Sequence, residues 1–367
     1  MRDLLSGIWA ASAASEDAAS FSPREWEALL GQARRSRLLA RLAVNFAEQP
    51  GGLAAVPSPQ QQYLQGALTL VERQRHEVLA ELAHLRRALK GVSAPVVLLK
   101  GAAYLLAGLP PARGRVFSDI DLLVGQPQLN EVEGVLFAAG WISQERDAYN
   151  QRYYRQWMHE IPPMTHVTRH SVIDLHHTIA PPTSRFKVNA VRLFERIQPI
   201  GSSGFFMLGP EDMVLHSASH LYQEGEFDHG LRDLLDVVDL LTHFGRVATF
   251  WQTLLARAAE LGLGEPLHHL IEQARRLGAL RVPVDCEPGL RALRPAWPAR
   301  GLVAALLTQV LRPQHPSCDT RRAQLARWLL YVRSHQLRMP VRLLIPHLVR
   351  KAYTTRFVAR SPEKAQT

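Results

Sequence analysis

Cysteine is nearly absent from this chain: Cys286 and Cys318 are the only two in 367 residues. Two are too few for a disulfide framework, and neither has the partners of a zinc motif. Long apolar runs are missing too, since no stretch approaches the roughly 18 residues of a membrane-spanning helix. The opening "MRDLLSGIWAASAASEDAAS" has only a short apolar patch before acidic residues intervene, so it does not read as a signal peptide. These absences predict a cytoplasmic protein without a membrane span. Internal repeats and low-complexity segments are also lacking. Acidic residues are scarce at one end: residues 301–367 carry 12 Lys/Arg against 2 Asp/Glu. That excess equals the net charge of the whole chain, +10, so residues 1–300 are neutral. A basic tail can contact nucleic acid or an anionic membrane. It can equally be a solvated arginine-rich helical face. The second reading is favoured, because long arginine side chains often cover apolar surface and the tail has no recognisable nucleic-acid reading motif.

What remains is an ordinary globular composition, 47% apolar and 21% charged, long enough for two or three domains. Residues 1–49 have helical apolar spacing, with Ser22-Pro23 as a helix start. "PGGLAAVPSPQ" (50–60) reads as a linker and 61–89 as a second helix. The period then changes. "APVVLLK" and "SDIDLLV" read as buried strands around a helix "GAAYLLAGL", and a further helix lies within 125–140. "YNQRYYRQW" and "MTHVTRHSVIDLHHTI" are expected as strands, the second split by a turn near Arg169-His170. From Pro210 onward strand signals vanish and amphipathic helices follow one another. The expected domains are an N-terminal helical region (1–90), an α/β core (91–205) and a C-terminal helical domain with the basic tail (206–367).

Inside "SDIDLLV", Asp119 and Asp121 share one strand face while Ile120 and Leu122 point to the core. Two such carboxylates repel, so neutralising one is expected to relieve the fold, unless a divalent cation joins them. Magnesium suits this arrangement, because it takes one or two carboxylates and keeps sites for water and phosphates. Asp174 lies in a second apolar strand, "SVIDLHHTI". If the two strands are neighbours, three carboxylates converge, enough for two metal ions. Upstream, Lys100-Gly101 between strand and helix offers a turn without a Cβ, expected at positive φ and suited to phosphate.

The succession "LLKGAAYLL", "RVFSDIDLLV" and "VIDLHHTI" resembles the nucleotidyltransferases of the DNA polymerase β superfamily. It is most similar to a group of uncharacterised bacterial nucleotidyltransferases, over roughly residues 90–245. The matching residues are Lys100-Gly101, Arg115, Ser118 to Val124 and Asp174-Leu175-His176, with His220, Arg232 and Asp236 in the later helices. Where the superfamily has Gly-Ser, this chain has Gly101-Ala102, so that phosphate-contacting hydroxyl is missing. The resemblance implies an α+β fold, a mixed sheet with flanking helices. It also implies transfer of a nucleoside monophosphate from an NTP such as ATP to a hydroxyl acceptor, with release of pyrophosphate. Asp119, Asp121 and Asp174 would be catalytic and would hold two magnesium or manganese ions. Lys100, Gly101, Arg115 and Ser118 would bind nucleotide. The partners implied are a nucleoside triphosphate and an unidentified acceptor. The alternative is an inactive nucleotide-binding or regulatory protein that retains the fold.

His176 is expected on the face of Asp174, as a triphosphate contact, an orienting group or a plain strand histidine. His216 and His220 lie one turn apart, which suits zinc, but no HExxH glutamate separates them and structural histidines are favoured. Arg232 and Asp236, also one turn apart, are accessory candidates, or else a simple helix ion pair. Asp233 and Asp239 are expected to be solvated.

Overall fold

The computed structural model describes residues 21–49, 51–296 and 299–353. The helical expectation for residues 1–20 and the last part of the basic tail lie outside the described residues. Helix α1 (Pro23–Arg35) begins at a capping box. Ser22 Oγ accepts from the amide of Glu25, and the Glu25 carboxylate accepts from the amide of Ser22. Helices α2 (Leu39–Ala47) and α3 (Ser58–Ala88) follow.

The sheet is built from β1 (Val97–Leu98), β2 (Ile120–Leu123), β3 (Trp141–Ser143), β4 (Met164–His166), β5 (Val172–His176), β6 (Gln198–Pro199) and β7 (Phe206–Met207). The strands form one mixed sheet in the order β3-β4-β5-β2-β1-β7-β6. β2 runs parallel to β5 and antiparallel to β1. Between the strands lie α4 (Lys100–Leu106), α5 (Leu129–Ala138), α6 (Ala148–Trp157) and α7 (Ala190–Phe194). The expected turn between β4 and β5 is present, with His170 at φ +58°.

Helix α6 corrects the strand expected at "YNQRYYRQW". Asp147 caps it, its carboxylate accepting from the amides of Tyr149 at 2.8 Å and Asn150 at 3.0 Å. Tyr149, Tyr153 and Trp157 recur every four residues, and Trp157 meets the two tyrosine rings edge-on at 6.0 and 5.9 Å. A cap and an i, i+4 aromatic stripe outweigh the strand preference of aromatic residues.

After β7 the described chain is helical, as the sequence pattern predicts: α8 (Pro210–Gln223), α9 (Gly230–Phe244), α10 (Phe250–Glu260), α11 (Gly264–Arg276), α12 (Glu287–Ala292), α13 (Ala299–Val310), α14 (Arg321–Arg338) and α15 (Val341–Tyr353). These helices cover one face of the sheet, where Val97, Leu99 and Leu123 join Leu215, Tyr222 and Leu240 in one core. The other face packs Ile120, Leu122, Ile173 and Leu175 against Leu82 and Leu85 of α3 and Val132 and Leu136 of α5. The class is therefore α+β, a mixed sheet with flanking helices, as expected. Trp26, Leu42 and Phe46 form a third cluster with Leu231 and Leu235, tying the N-terminal helices to α9. No helix among the described residues is long and apolar enough to cross a membrane.

Candidate active site

The parallel pairing of β2 and β5 sets Ile120 against Ile173 and Asp121 against Asp174. Aligned residues of neighbouring strands share a face, so the isoleucines enter the core and the two carboxylates face away from it together. Asp119 stands one residue before β2. Its carboxylate accepts a 2.9 Å hydrogen bond from Ser118 Oγ. Asp121 and Asp174 thus stand side by side on adjacent strands, with Asp119 two residues upstream of Asp121; the three are not within reach of a single shared ion among the described residues.

A cleft of about 140 Å³ opens beside them. Lys100, Gly101, Arg115, Ser118, Asp119, Asp121, His220, Arg232 and Asp236 all line it. Asp174 and His176 are set behind this wall on β5. His176 Nε2 lies 3.0 Å from Asp121 Oδ1, and the Lys100 ammonium lies 3.7 Å from the same oxygen. Burial pushes the Asp121 carboxyl up, but Lys100 and the His176 hydrogen bond outweigh it and hold the group far below its ordinary range. Burial likewise opposes charge on Lys100 and His176, yet the surrounding carboxylates keep both above their usual values.

Asp174 behaves in the opposite way. Its Oδ1 is buried without a hydrogen-bond partner. Burial, then Glu160, Asp121 and Asp119, push its carboxyl up to about 7. An orphaned carboxylate oxygen beside two further aspartates and a glutamate is a donor set of hard oxygens short of positive charge. It fits a divalent cation of the magnesium type.

Glu160 and His159 were invisible to sequence reasoning. They precede Pro162-Pro163 in an irregular segment, which an isolated antiparallel bridge from Glu160 to His176 fastens to β5. Glu160 Oε2 is 3.4 Å from His176 Nε2 and 3.7 Å from His159 Nε2. Among the described residues, His159, Glu160 and His176 are the group of three donors close enough to share a metal ion. His216 and His220 have no such third donor there. Their rings meet edge-on at 6.5 Å. Both are held neutral well below their ordinary pKa, His216 mainly by burial and then Lys100, His220 mainly by Lys100 and then burial.

Several expectations need correction. Gly101 does not carry the positive φ; Lys100 does, at +43°. Glycine is needed instead for close approach, because a Cβ at 101 would lie 3.0 Å from Arg115 Nε and 3.3 Å from Phe117. Ala102 is 1% exposed and packs into the α3 side of the core, away from the cleft. Arg232 and Asp236 do not pair. Arg232 binds Asp233 at 2.6 Å, while Asp236 receives Arg115 and, at 3.3 Å, Arg41. Asp239 is not solvated either, since Arg41 reaches it at 2.6 Å. These partners from distant parts of the chain win because α2 and the Pro110–Ala112 turn that precedes Arg115 both pack on α9 and bury the carboxylates. Arg115, pushed down to about 10 by burial and then by neighbouring Arg232, also lies over the Tyr104 ring. Tyr104 and Ser217, further cleft residues that the sequence did not single out, share a 2.7 Å hydrogen bond.

The cleft thus sets three cations, Lys100, Arg115 and Arg232, beside a row of carboxylates. That suits a polyanion at one end and its cations at the other. No curated protein and no solved structure matches this chain. A family described as uncharacterised nucleotidyltransferase matches residues 22–279, from α1 through the whole sheet to α11, and the chain belongs to that nucleotidyltransferase family.

Proposed function

We propose that the protein transfers a nucleoside monophosphate from a nucleoside triphosphate to a hydroxyl acceptor, releasing pyrophosphate. The observation that carries this reading is the Asp121–Asp174 register pair, with Asp174 Oδ1 orphaned and its carboxyl raised to about 7. Asp119, Asp121 and Asp174 would hold magnesium or manganese, two ions by the count of carboxylates. When bound, the metal supplies charge neutralisation of the phosphates.

The protein's own groups do the rest. Lys100, Arg115 and Arg232 attract the triphosphate, and the Lys100-Gly101 turn leaves room for phosphate oxygens where a side chain would collide. Ser118 steadies Asp119 through its hydrogen bond. His176 holds one oxygen of Asp121 and so orients the other. Asp174 takes the acceptor proton, since its Oδ1 has no hydrogen-bond partner within the protein. Neutral His220 and the paired Asp236 shape the cleft wall and keep Arg115 in position.

The test is incubation with α-labelled nucleoside triphosphates and magnesium, alone and with cell extract. Label should pass to an acceptor and should be lost with Asp121→Asn. Magnesium-dependent nucleotide binding without any transfer would instead mark an inactive nucleotide-binding protein that retains the fold.

A further inference from the structure

Helix α14 buries one face and exposes another, and both are apolar. Ala323, Ala326, Leu330, Ser334 and Leu337 recur at steps of three and four and are buried where α14 packs on α8 and α13. On the opposite side Leu325, Trp328 and Val332 follow at the same steps, with Tyr331 beside them. All four are exposed, Trp328 by 61%. In α15, Val341 and Ile345 are exposed one turn apart. Single apolar side chains on a surface need no explanation, but a stripe with helical period does.

This changes the reading of the basic tail as a solvated arginine-rich face. Arg327 turns aside to Asp319, Arg333 lies over the Tyr222 ring and Arg338 reaches Glu224 at 3.5 Å. Those three serve the fold. Arg321, Arg322 and Arg342 are exposed, and none has an acidic partner among the described residues. Arg321 and Arg322 also stand in the first turn of α14, which holds no acidic residue. Cations are disfavoured there, because the helix dipole is positive at that end. From Arg321 to Tyr353 the chain has seven arginines, one lysine and no acidic residue.

An apolar stripe edged by unpaired cations calls for an occupant that is anionic outside and apolar beneath. Nucleic acid meets half of that. Its phosphates suit the arginines and its bases stack on Trp328 or Tyr331, but Leu325, Val332 and Ile345 have no counterpart in it. A second copy of the chain would set like charge against like. A bilayer with anionic headgroups meets both halves: the headgroups take the arginines, and the acyl boundary takes the leucine, valine and isoleucine. Tryptophan and tyrosine suit the boundary itself.

We infer that the exposed face of α14, with the start of α15, docks on an anionic lipid surface. The protein would lie on one leaflet rather than span it. This surface stands whether or not the cleft transfers nucleotides.

The experiment is co-sedimentation of the full chain with vesicles of phosphatidylcholine, alone or mixed with phosphatidylglycerol, in rising salt. Wild type should pellet with the mixed vesicles and not with phosphatidylcholine alone, and binding should weaken as salt rises. Leu325→Glu and Trp328→Glu, which put a carboxylate into the stripe, should each lower the affinity at least tenfold. Joint replacement Arg321→Gln and Arg322→Gln should lower it about tenfold and flatten the salt dependence. All four positions are exposed, so melting temperatures should stay near that of wild type. Wild type left in the supernatant with mixed vesicles, equal pelleting with both lipids, or full binding by the glutamate variants overturns the assignment. So does retention on RNA, or dimerisation seen by light scattering, that the glutamate variants abolish while vesicles capture no protein.

Discussion

Arg257 of α10 and Asp212 of α8 are almost wholly buried and bind each other through two hydrogen bonds of 2.7 and 2.8 Å. Arg257 also donates to the carbonyl of Arg192, and those bonds from Asp212 hold its guanidinium above the ordinary range. On the sheet floor, by contrast, Asp174 keeps a buried oxygen without a partner among three other carboxylates. Both regions bury charge, but only one surrounds it with opposite charge: Arg257 also has Glu260 at 2.9 Å, whereas the neighbours of Asp174 are mostly carboxylates. A satisfied buried ion pair positions helices, and its energy is spent on the fold. An uncompensated carboxylate cluster costs stability unless a cation arrives, which is the mark of a site rather than of a scaffold.

The sharpest break of this contrast is Asp121→Asn. Loss of a metal-holding carboxylate should lower transfer by about four orders of magnitude, near 5.5 kcal/mol of barrier. The repulsion argument predicts that the same change relieves the apo fold. The geometry reverses that expectation, because Lys100 and His176 both lean on Asp121 and would lose their partner. The metal-free variant should melt below wild type, as thermal unfolding in EDTA would show. An unchanged or higher melting temperature would mean that Asp121 is not the anchor of those cations.

In the helical half, Arg257→Leu should cost about 3–5 kcal/mol of stability, the usual consequence of leaving one member of a buried pair alone. Magnesium-dependent stabilisation by nucleotide should persist in whatever fraction remains folded. Denaturant unfolding with and without magnesium and nucleotide separates the two effects, and loss of the ligand response would make Arg257 part of the site.

The sequence made one of these regions far more legible than the other. Alternation in "SDIDLLV" and "SVIDLHHTI" sets the aspartates opposite the buried isoleucines, but that the two strands are parallel neighbours in register appears only in the sheet. The Lys100-Gly101 turn was legible for the same local reason, although the positive φ fell on the lysine. Glu160 and His159 were not legible, because an irregular segment carries no period and a single bridge to β5 brings them in. Nor was Arg41, whose contact with Asp236 and Asp239 depends on how α2 packs on α9. Helix α6 was misread because Tyr and Trp favour strands locally, whereas the Asp147 cap and the four-residue stripe act together only once the helix exists.

Gly101→Val sharpens the contrast on the site side. Its new side chain would press on Arg115 and Phe117 from a buried position. Nucleotide affinity should fall about 10- to 100-fold, equivalent to about 1.4–2.7 kcal/mol, while the fold survives. Titration calorimetry with a non-hydrolysable triphosphate measures it. Unchanged affinity in a folded variant would remove this turn from the phosphate site.

The smallest effect separates the two regions by the sign of their pH dependence. Asp174 has its carboxyl raised to about 7, against about 3.9 for an unfolded aspartate. Between those values the folded state holds a proton that the unfolded state has released, so Asp174 makes stability fall as pH rises from about 4 to 7. His269 of α11, stacked on Tyr222 with centroids 5.2 Å apart, is pushed down to about 4 by burial and then by His268. There the unfolded state takes the proton first, so stability is present above the unfolded value of about 6.5 and is lost as pH falls towards 4. In EDTA, Asp174→Asn should therefore gain on wild type progressively from pH 4 to 7. His269→Phe, which keeps a ring against Tyr222, should gain in the other direction, from pH 6.5 down to 4. Magnesium should flatten the first difference, because a cation among the carboxylates lowers the proton affinity of Asp174, and should leave the second unchanged. If magnesium alters both slopes, or neither, the division between an incomplete site and a completed scaffold fails.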